Sequence, residues 1–263
     1  MRTFLRWAGS KSQLLPILRN YWRNHFDRYI EPFSGSATVF FDVEPKQAIL
    51  GDLNVDLIQT LRAIQLDAER VIECIRRLPL GDRNYYRIRQ LNPSILSVVE
   101  QAARFLYLNF YCFNGLYRTN RQGQFNVPFG RKKGRKTVDE DLIRSGATLL
   151  KRAVLVYGDF SETLRYAGPR DFVYLDPPYI TTSRDSFREY LPQTFESHDL
   201  LRLRDELGIL DRQGTKFVLS YCDSREARKL LAVWRTRSVT VRRNIAGFVG
   251  KRKTVREIIV TNI

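Results

Sequence analysis

The sequence predicts an α/β fold whose alternation of strands and helices is interrupted by a mainly helical insertion. Residues 29–33 read as a strand, Ser34-Gly35-Ser36-Ala37 as a turn of small residues, and 38–41 as the start of a helix; a second strand at 48–51 ends in Asp52. Residues 172–175, a short apolar run of β-formers, read as a buried strand that ends in Asp176-Pro177-Pro178-Tyr179. Between these two regions the apolar spacing is helical from Val55 to about Pro79 and again from near Ser97 through Phe110.

A chain of 263 residues with 43% hydrophobic content is long enough for one full α/β domain plus an insertion. Forty-four Lys and Arg against twenty-eight Asp and Glu give a net charge of +16, which favours a polyanionic partner such as nucleic acid over a generally basic surface. Cys74, Cys112 and Cys222 are odd in number and far apart, so they suggest neither disulfides nor a zinc site, and a reducing cytoplasm fits best. His25 and His198 stand alone, and no metal is expected. No run of eighteen apolar residues occurs, so no membrane partner is expected either.

In chain order, Arg6-Trp7-Ala8-Gly9-Ser10-Lys11 precedes an amphipathic helix predicted from about Ser12, carrying Leu14, Leu15, Ile17, Leu18, Tyr21 and Trp22, with Pro16 in its first turn. Lys11 then falls at a loop-to-helix junction, where an ammonium meets a small anion or simply solvent. Asp52, at the end of the second strand, either accepts bonds from ribose hydroxyls or caps the helix that begins near Asn54. That helix runs to about Pro79, and another starts near Ser97, where Ser97 and Glu100 match a capping box.

Residues 111–133 contain no acid and combine glycines, aromatics, Asn and Arg; they read as a β-hairpin with its tip near Gln122-Gly123. A β-ribbon of this composition suits a DNA groove, although a basic run also makes an ordinary solvated face. Alternation resumes with a strand at 154–157 leading to Asp159 and Phe160. Residues 180–195 are polar and read as a mobile lid. Residues 227–256 hold ten Lys or Arg and no acid, and two last strands near 239–241 and 257–261 read as an edge hairpin whose loop carries Arg243, Lys251, Arg252 and Lys253.

The Asp-Pro-Pro-Tyr stretch sits where ligands bind in open α/β sheets, at a strand's carboxyl end. Two prolines fix the loop and leave nearby carbonyls free to accept hydrogen bonds. An exocyclic amino group on a planar base suits this set: Asp176 and the Pro177 carbonyl accept its two N–H bonds, Pro178 holds the turn, and Tyr179 stacks on the ring. The bland alternative is a strand that merely ends in Asp.

Taken in order, Leu5-Arg6-Trp7-Ala8-Gly9-Ser10-Lys11, Glu31-Pro32-Phe33-Ser34-Gly35-Ser36-Ala37, Gly51-Asp52-Leu53-Asn54, Phe113-Asn114-Gly115-Leu116, Gln124-Phe125-Asn126-Val127-Pro128-Phe129-Gly130 and Asp176-Pro177-Pro178-Tyr179 resemble the Dam-type, D12-class DNA adenine-N6 methyltransferases over nearly the whole chain. The resemblance implies a Rossmann-like S-adenosylmethionine-dependent methyltransferase fold, with residues 1–56 and 145–263 catalytic and 57–144 an inserted target-recognition domain carrying the hairpin. It implies a cofactor site of Trp7, Lys11, Phe33, Gly35, Asp52, Asp159, Phe160 and Asp176. Double-stranded DNA is the implied partner of a monomer, met by Arg6, Phe113, Asn114, Leu116, Arg118, Asn126, Pro128, Arg131 and Lys132 and by the late basic loop. Leu116 and Arg118 match positions that face the second half of a GATC site. Three departures stand out: Ala37 replaces a usual second glycine, Phe113 a frequent Tyr, and Arg6 a common Lys. Cytosine-N4 and RNA adenine methylation present a similar amino group and remain alternatives, as does a non-catalytic DNA-binding module, which would not need both Asp52 and Asp176.

Overall fold

The computed structural model describes residues 1–22, 26–120, 122–130, 138–180, 195–244 and 252–263, with backbone alone at 242–244 and 252–253. The predicted first strand forms β1 (Tyr29–Glu31) and the second β2 (Ala48–Asp52); β3 (Ala153–Tyr157), β4 (Phe172–Leu175), β5 (Lys216–Cys222), β6 (Arg235–Asn244) and β7 (Arg252–Thr261) follow. They make one mixed sheet in the order β3-β2-β1-β4-β5-β7-β6, parallel through β5, with β7 antiparallel to both β5 and β6. This is the Rossmann-like methyltransferase arrangement the resemblance implied. Strand order reverses between β1 and β4, so the crevice outside their carboxyl ends is the place in the sheet built to take a ligand.

Residues alternate between the two sheet faces, and on the inner strands β1, β2, β4 and β5 both faces are buried. Tyr29, Leu50, Tyr174, Val218 and Ile259 pack on one side, whereas Ile30, Ile49, Val173, Leu175 and Ile258 pack on the other with Leu203 and Leu207.

The helices are α1 (Leu15–Leu18), α2 (Thr38–Val43), α3 (Val55–Arg77), α4 (Asp82–Gln90), α5 (Val98–Tyr111), α6 (Glu140–Leu150), α7 (Phe160–Leu164), α8 (Ser197–Gln213) and α9 (Arg225–Leu230). Four of them, α3 to α6, stand between β2 and β3. Asn54 caps α3 by accepting from Leu57 N at 3.0 Å, and α3 is broken at Asp67, whose side chain accepts from Arg70 N at 3.0 Å and so starts the second half afresh. The Ser97 and Glu100 capping box opens α5 as its sequence indicates.

Three expectations need correction. The first helix is only four residues: Lys11–Gln13 winds as a 3₁₀ turn, and the Asn20 side chain donates to the Ile17 carbonyl at 3.1 Å, competing with a further helical turn. The hairpin of 111–133 forms isolated antiparallel bridges, Cys112 to Phe129 and Thr119 to Phe125, rather than strands. Asn120 Oδ1 draws in the amides of Gln122 and Gln124, and Pro128 offers no donor, so a continuous ladder cannot close. The last two strands do form a hairpin, but β7 lies inside the sheet and only β6 is at the edge; Arg252 and Lys253 belong to β7, not to its loop.

Candidate active site and DNA-facing surface

Asp176 leaves β4 directly into the switch-point crevice and is met there by a residue 165 positions away in sequence. Lys11 Nζ lies 2.6 Å from Asp176 Oδ1, and Lys11 is buried. The anion at the loop-to-helix junction is therefore the Asp176 carboxylate. Ser220 Oγ, at the end of β5, donates to the same oxygen at 3.3 Å and is itself 2.9 Å from the Tyr174 hydroxyl. Burial raises the Asp176 carboxyl above its ordinary range, and Lys11 opposes that by favouring the charged form. Pro177 is buried and Pro178 exposed. The Tyr179 ring is half-buried, edge-on to Tyr221 at 5.2 Å and 5.4 Å from Lys11 Nζ.

Around the end of β1, Gly35 takes a left-handed conformation (φ 47°) directly under Trp7, so that a Cβ there would come within 2.8 Å of the indole. Only glycine permits that approach. Ala37 is also left-handed (φ 51°), which its methyl group disfavours, at the position where the resemblance has glycine. Gly35 N donates to Asp52 Oδ2 at 2.8 Å and Asn54 N to Asp52 Oδ1 at 2.9 Å. Since Asn54 caps α3, the capping role proposed for Asp52 is taken. Phe33 packs on Phe160 with centroids 5.4 Å apart, and on Phe195 at 6.1 Å. Asp159 caps α7 through Ser161 N at 3.1 Å and also pairs with Arg202 at 2.6 Å, while Arg202 lies 4.8 Å over the Phe160 ring. Burial works against the charge of Asp159, but the Ser161 and Arg202 bonds prevail and its carboxyl is lowered.

Among the described residues expected on DNA, Arg6 and the 113–128 segment are held together by direct contacts. Arg6 stacks over Phe110 at 4.4 Å and donates to the Phe110 carbonyl, while its own backbone is held at both ends by the Asn109 amide. Gly115 (φ 67°) packs on the Arg6 stem, where a Cβ would lie 2.4 Å from Arg6 Cβ, which brings Arg6 beside the exposed Phe113 and Asn114. Arg118 Nε donates to Asn126 Oδ1 at 2.7 Å, Leu116 is half-buried, and the exposed Pro128 accepts from Phe113 N at 2.8 Å. Arg131, Lys132, Lys251 and the predicted lid, apart from its first and last residues Ile180 and Phe195, lie outside the described residues; Arg243, Arg252 and Lys253 are placed by backbone only, in β6 and β7.

Sequence reasoning did not find Ser220, Arg202, Glu31 or Asn109. Asn109, a buried amide near the end of an apolar helix, was the readable signal, because burying an amide demands partners. Among the described residues no group of His, Cys, Asp and Glu is arranged to hold a metal, and no helix is long and apolar enough to cross a membrane.

The family model of the D12 class N6 adenine-specific DNA methyltransferases matches residues 7–245. Among similar proteins, the Type II methyltransferase M1.LlaDCHI of Lactococcus lactis subsp. cremoris is 35% identical over 271 residues, covering 100% of this chain and 95% of its own. The Type II methyltransferase M.MjaIII of Methanocaldococcus jannaschii is 34% identical and covers 84% of each chain, and the DNA adenine methylase of Escherichia coli K12 is 30% identical over 98% of this chain and 94% of its own. With the sheet order and the Asp-Pro-Pro-Tyr turn at its switch point, these likenesses establish that the chain belongs to the D12 class N6 adenine-specific DNA methyltransferases.

Proposed function

We propose that the chain, as a monomer, transfers a methyl group from S-adenosylmethionine to N6 of an adenine flipped out of duplex DNA, within GATC. The observation that carries the reading is the one-sided engagement of Asp176: Lys11 and Ser220 both contact Oδ1, which leaves Oδ2 to accept an N–H from a base. The Pro177 carbonyl accepts the second N–H, and Tyr179 stacks on the ring. With both N–H bonds directed into acceptors, the nitrogen is drawn toward tetrahedral geometry and its lone pair toward the methyl group. As the N–C bond forms, the S–C bond of the sulfonium would break and S-adenosylhomocysteine would leave; transfer depends on positioning, and because the surplus N6 proton passes to solvent after transfer, no general base is required. Adenine must leave the duplex because its amino group is engaged inside the base pair; unstacking costs a few kcal/mol, offset by these contacts.

The donor set at the ends of β1, β2 and β3 suits the cofactor. Gly35 allows close approach to backbone, Asp52 offers acceptors for ribose hydroxyls, Phe33 and Phe160 offer faces for adenine, and Asp159 and Lys11 bracket the rest, with Trp7 as a cover. Bound there, S-adenosylmethionine supplies an electrophilic methyl on a sulfonium. Residues 57–144 are assigned as the DNA-reading insertion, and the basic β6–β7 hairpin as a phosphate contact. A DNA substrate fits a cytoplasmic enzyme.

The test is incubation with labelled S-adenosylmethionine and duplex DNA, then digestion to nucleosides. Label in N6-methyl-2′-deoxyadenosine is expected; label in N4-methyl-2′-deoxycytidine, or none, rejects the reading. Sequencing methylated adenines across a random pool then examines GATC. Arg118→Ala should relax the second half-site by roughly 1–3 kcal/mol of discrimination, and an unchanged motif would remove Arg118 from base reading. Asp52→Ala should weaken S-adenosylmethionine binding at least about tenfold through loss of a charge-assisted acceptor, with Asp52→Asn milder because it keeps one oxygen. Calorimetry showing equal affinity for all three proteins would leave Asp52 a purely structural role.

A further inference from the structure

Leu116 and Arg118, proposed to face bases, flank a residue that does not. Neighbouring residues of an extended segment point to opposite sides, and Tyr117 turns inward. Its ring stacks on Trp7 (centroids 5.5 Å, interplanar angle 22°) and packs on Phe105 at 5.6 Å and on Phe125 at 5.7 Å. Its hydroxyl donates to Asp56 Oδ2 at 2.9 Å. Asp56 lies in the first turn of α3, two residues after the Asn54 cap.

Both ends of Tyr117 thus lead to one carboxylate. Through its ring face the route is Trp7, then Gly35, which the indole covers too closely for any side chain, then Asp52 by the Gly35 N–H. Through its hydroxyl the route is Asp56, then the turn at Asn54, whose N–H also donates to Asp52. A displacement of Leu116 and Arg118 on docking to bases would be carried by the shared backbone to Tyr117, whose ring and hydroxyl lead by these contacts to the two sides of the Asp52 turn.

We propose that Tyr117 is a positioning residue that couples recognition of the target sequence to the cofactor pocket, so that cognate duplex and cofactor each tighten binding of the other. This rests on the reading given under Proposed function. Linkage makes the coupling reciprocal: whatever factor DNA adds to cofactor affinity, cofactor adds to DNA affinity.

The experiment measures S-adenosylhomocysteine affinity by calorimetry, alone and with saturating duplex carrying the enzyme's own methylation site. The ratio of the two affinities is expected to be about tenfold for the wild type. Tyr117→Phe, which removes only the hydroxyl route, should at least halve that ratio. Tyr117→Leu, which also removes the stack, should bring it to one. Asp56→Ala should act like Tyr117→Phe and add nothing to it. A role confined to stability would lower both affinities together and leave the ratio intact, so an unchanged ratio in Tyr117→Phe and Tyr117→Leu overturns the proposal, as does a wild-type ratio of one. If the wild type methylates duplex but shows no coupling, the inference alone falls. If it neither methylates nor binds S-adenosylhomocysteine, the functional reading falls and this inference with it.

Discussion

Asp176→Ala is expected to reduce methyl transfer to background while DNA affinity stays within a few-fold, because that affinity comes mainly from basic side chains meeting phosphates. The substitution removes the acceptor proposed for the N6 amino group and the only charged partner given to the buried Lys11 ammonium among the described residues. Removing one member of a buried ion pair commonly costs about 3–5 kcal/mol, so the variant's melting curve must accompany its activity. Asp176→Asn separates the two effects. An amide oxygen still accepts one bond but no longer balances Lys11, so a trace of activity should survive where Ala has none. Single-turnover assays at saturating cofactor decide the matter. Folded Asp176→Ala protein with near wild-type turnover would reject the assigned role.

The parts of this site that lie next to one another in sequence were readable from it, and those that meet across the sheet were not. The runs at 29–33, 48–51 and 172–175 read as strands because they are short, rich in β-formers and bounded by turn residues, and β1, β2 and β4 form there. Their carboxyl ends place Gly35, Asp52 and Asp176 together by topology alone. Lys11 was legible only as a cation near an anion; its partner depends on the 3₁₀ turn that replaces the predicted start of the first helix. Arg202 belongs to a helix that reads as ordinary packing, and its bond to Asp159 depends on how α8 lies over the end of β3. The inner position of β7 is likewise a matter of tertiary pairing, since a hairpin's own sequence does not say which of its strands joins the sheet. Tyr117 was visible as one aromatic in a loop of aromatics, and its two-sided contact required the chain on both sides of it.

Glu31 leads to the second large effect. It ends β1, is buried, and accepts through one oxygen from the Tyr29 hydroxyl at 2.9 Å and from Phe40 N at 3.2 Å, so it satisfies an amide in the first turn of α2 that Ala37 cannot reach. Burial pushes its carboxyl from the ordinary 4.5 up to about 8; the Tyr29 bond opposes this, nearby Asp176 adds to it, the Phe40 bond opposes it, and Asp52 adds the rest. The native state therefore keeps a proton that the unfolded chain releases above pH 4.5. Stability falls wherever the native state binds more protons, so this group makes the fold weaker as pH rises from 4.5, levelling off above about 8. At about 1.4 kcal/mol per pH unit the whole window is worth on the order of 5 kcal/mol, of which roughly 4 falls above pH 5. Glu31→Gln retains an acceptor oxygen for Tyr29 and Phe40 and cannot ionise. Urea unfolding from pH 5 to 9 should show wild type and variant converging at the acid end and separating by up to roughly 4 kcal/mol at the alkaline end, the variant being the more stable. Asp52 and Asp176, also raised by burial, contribute the same slope to both proteins and cancel in the comparison. Parallel pH profiles for the two would mean that Glu31 is ionised in the native state, with its charge balanced by the hydrogen bonds from Tyr29 and Phe40 rather than by a retained proton.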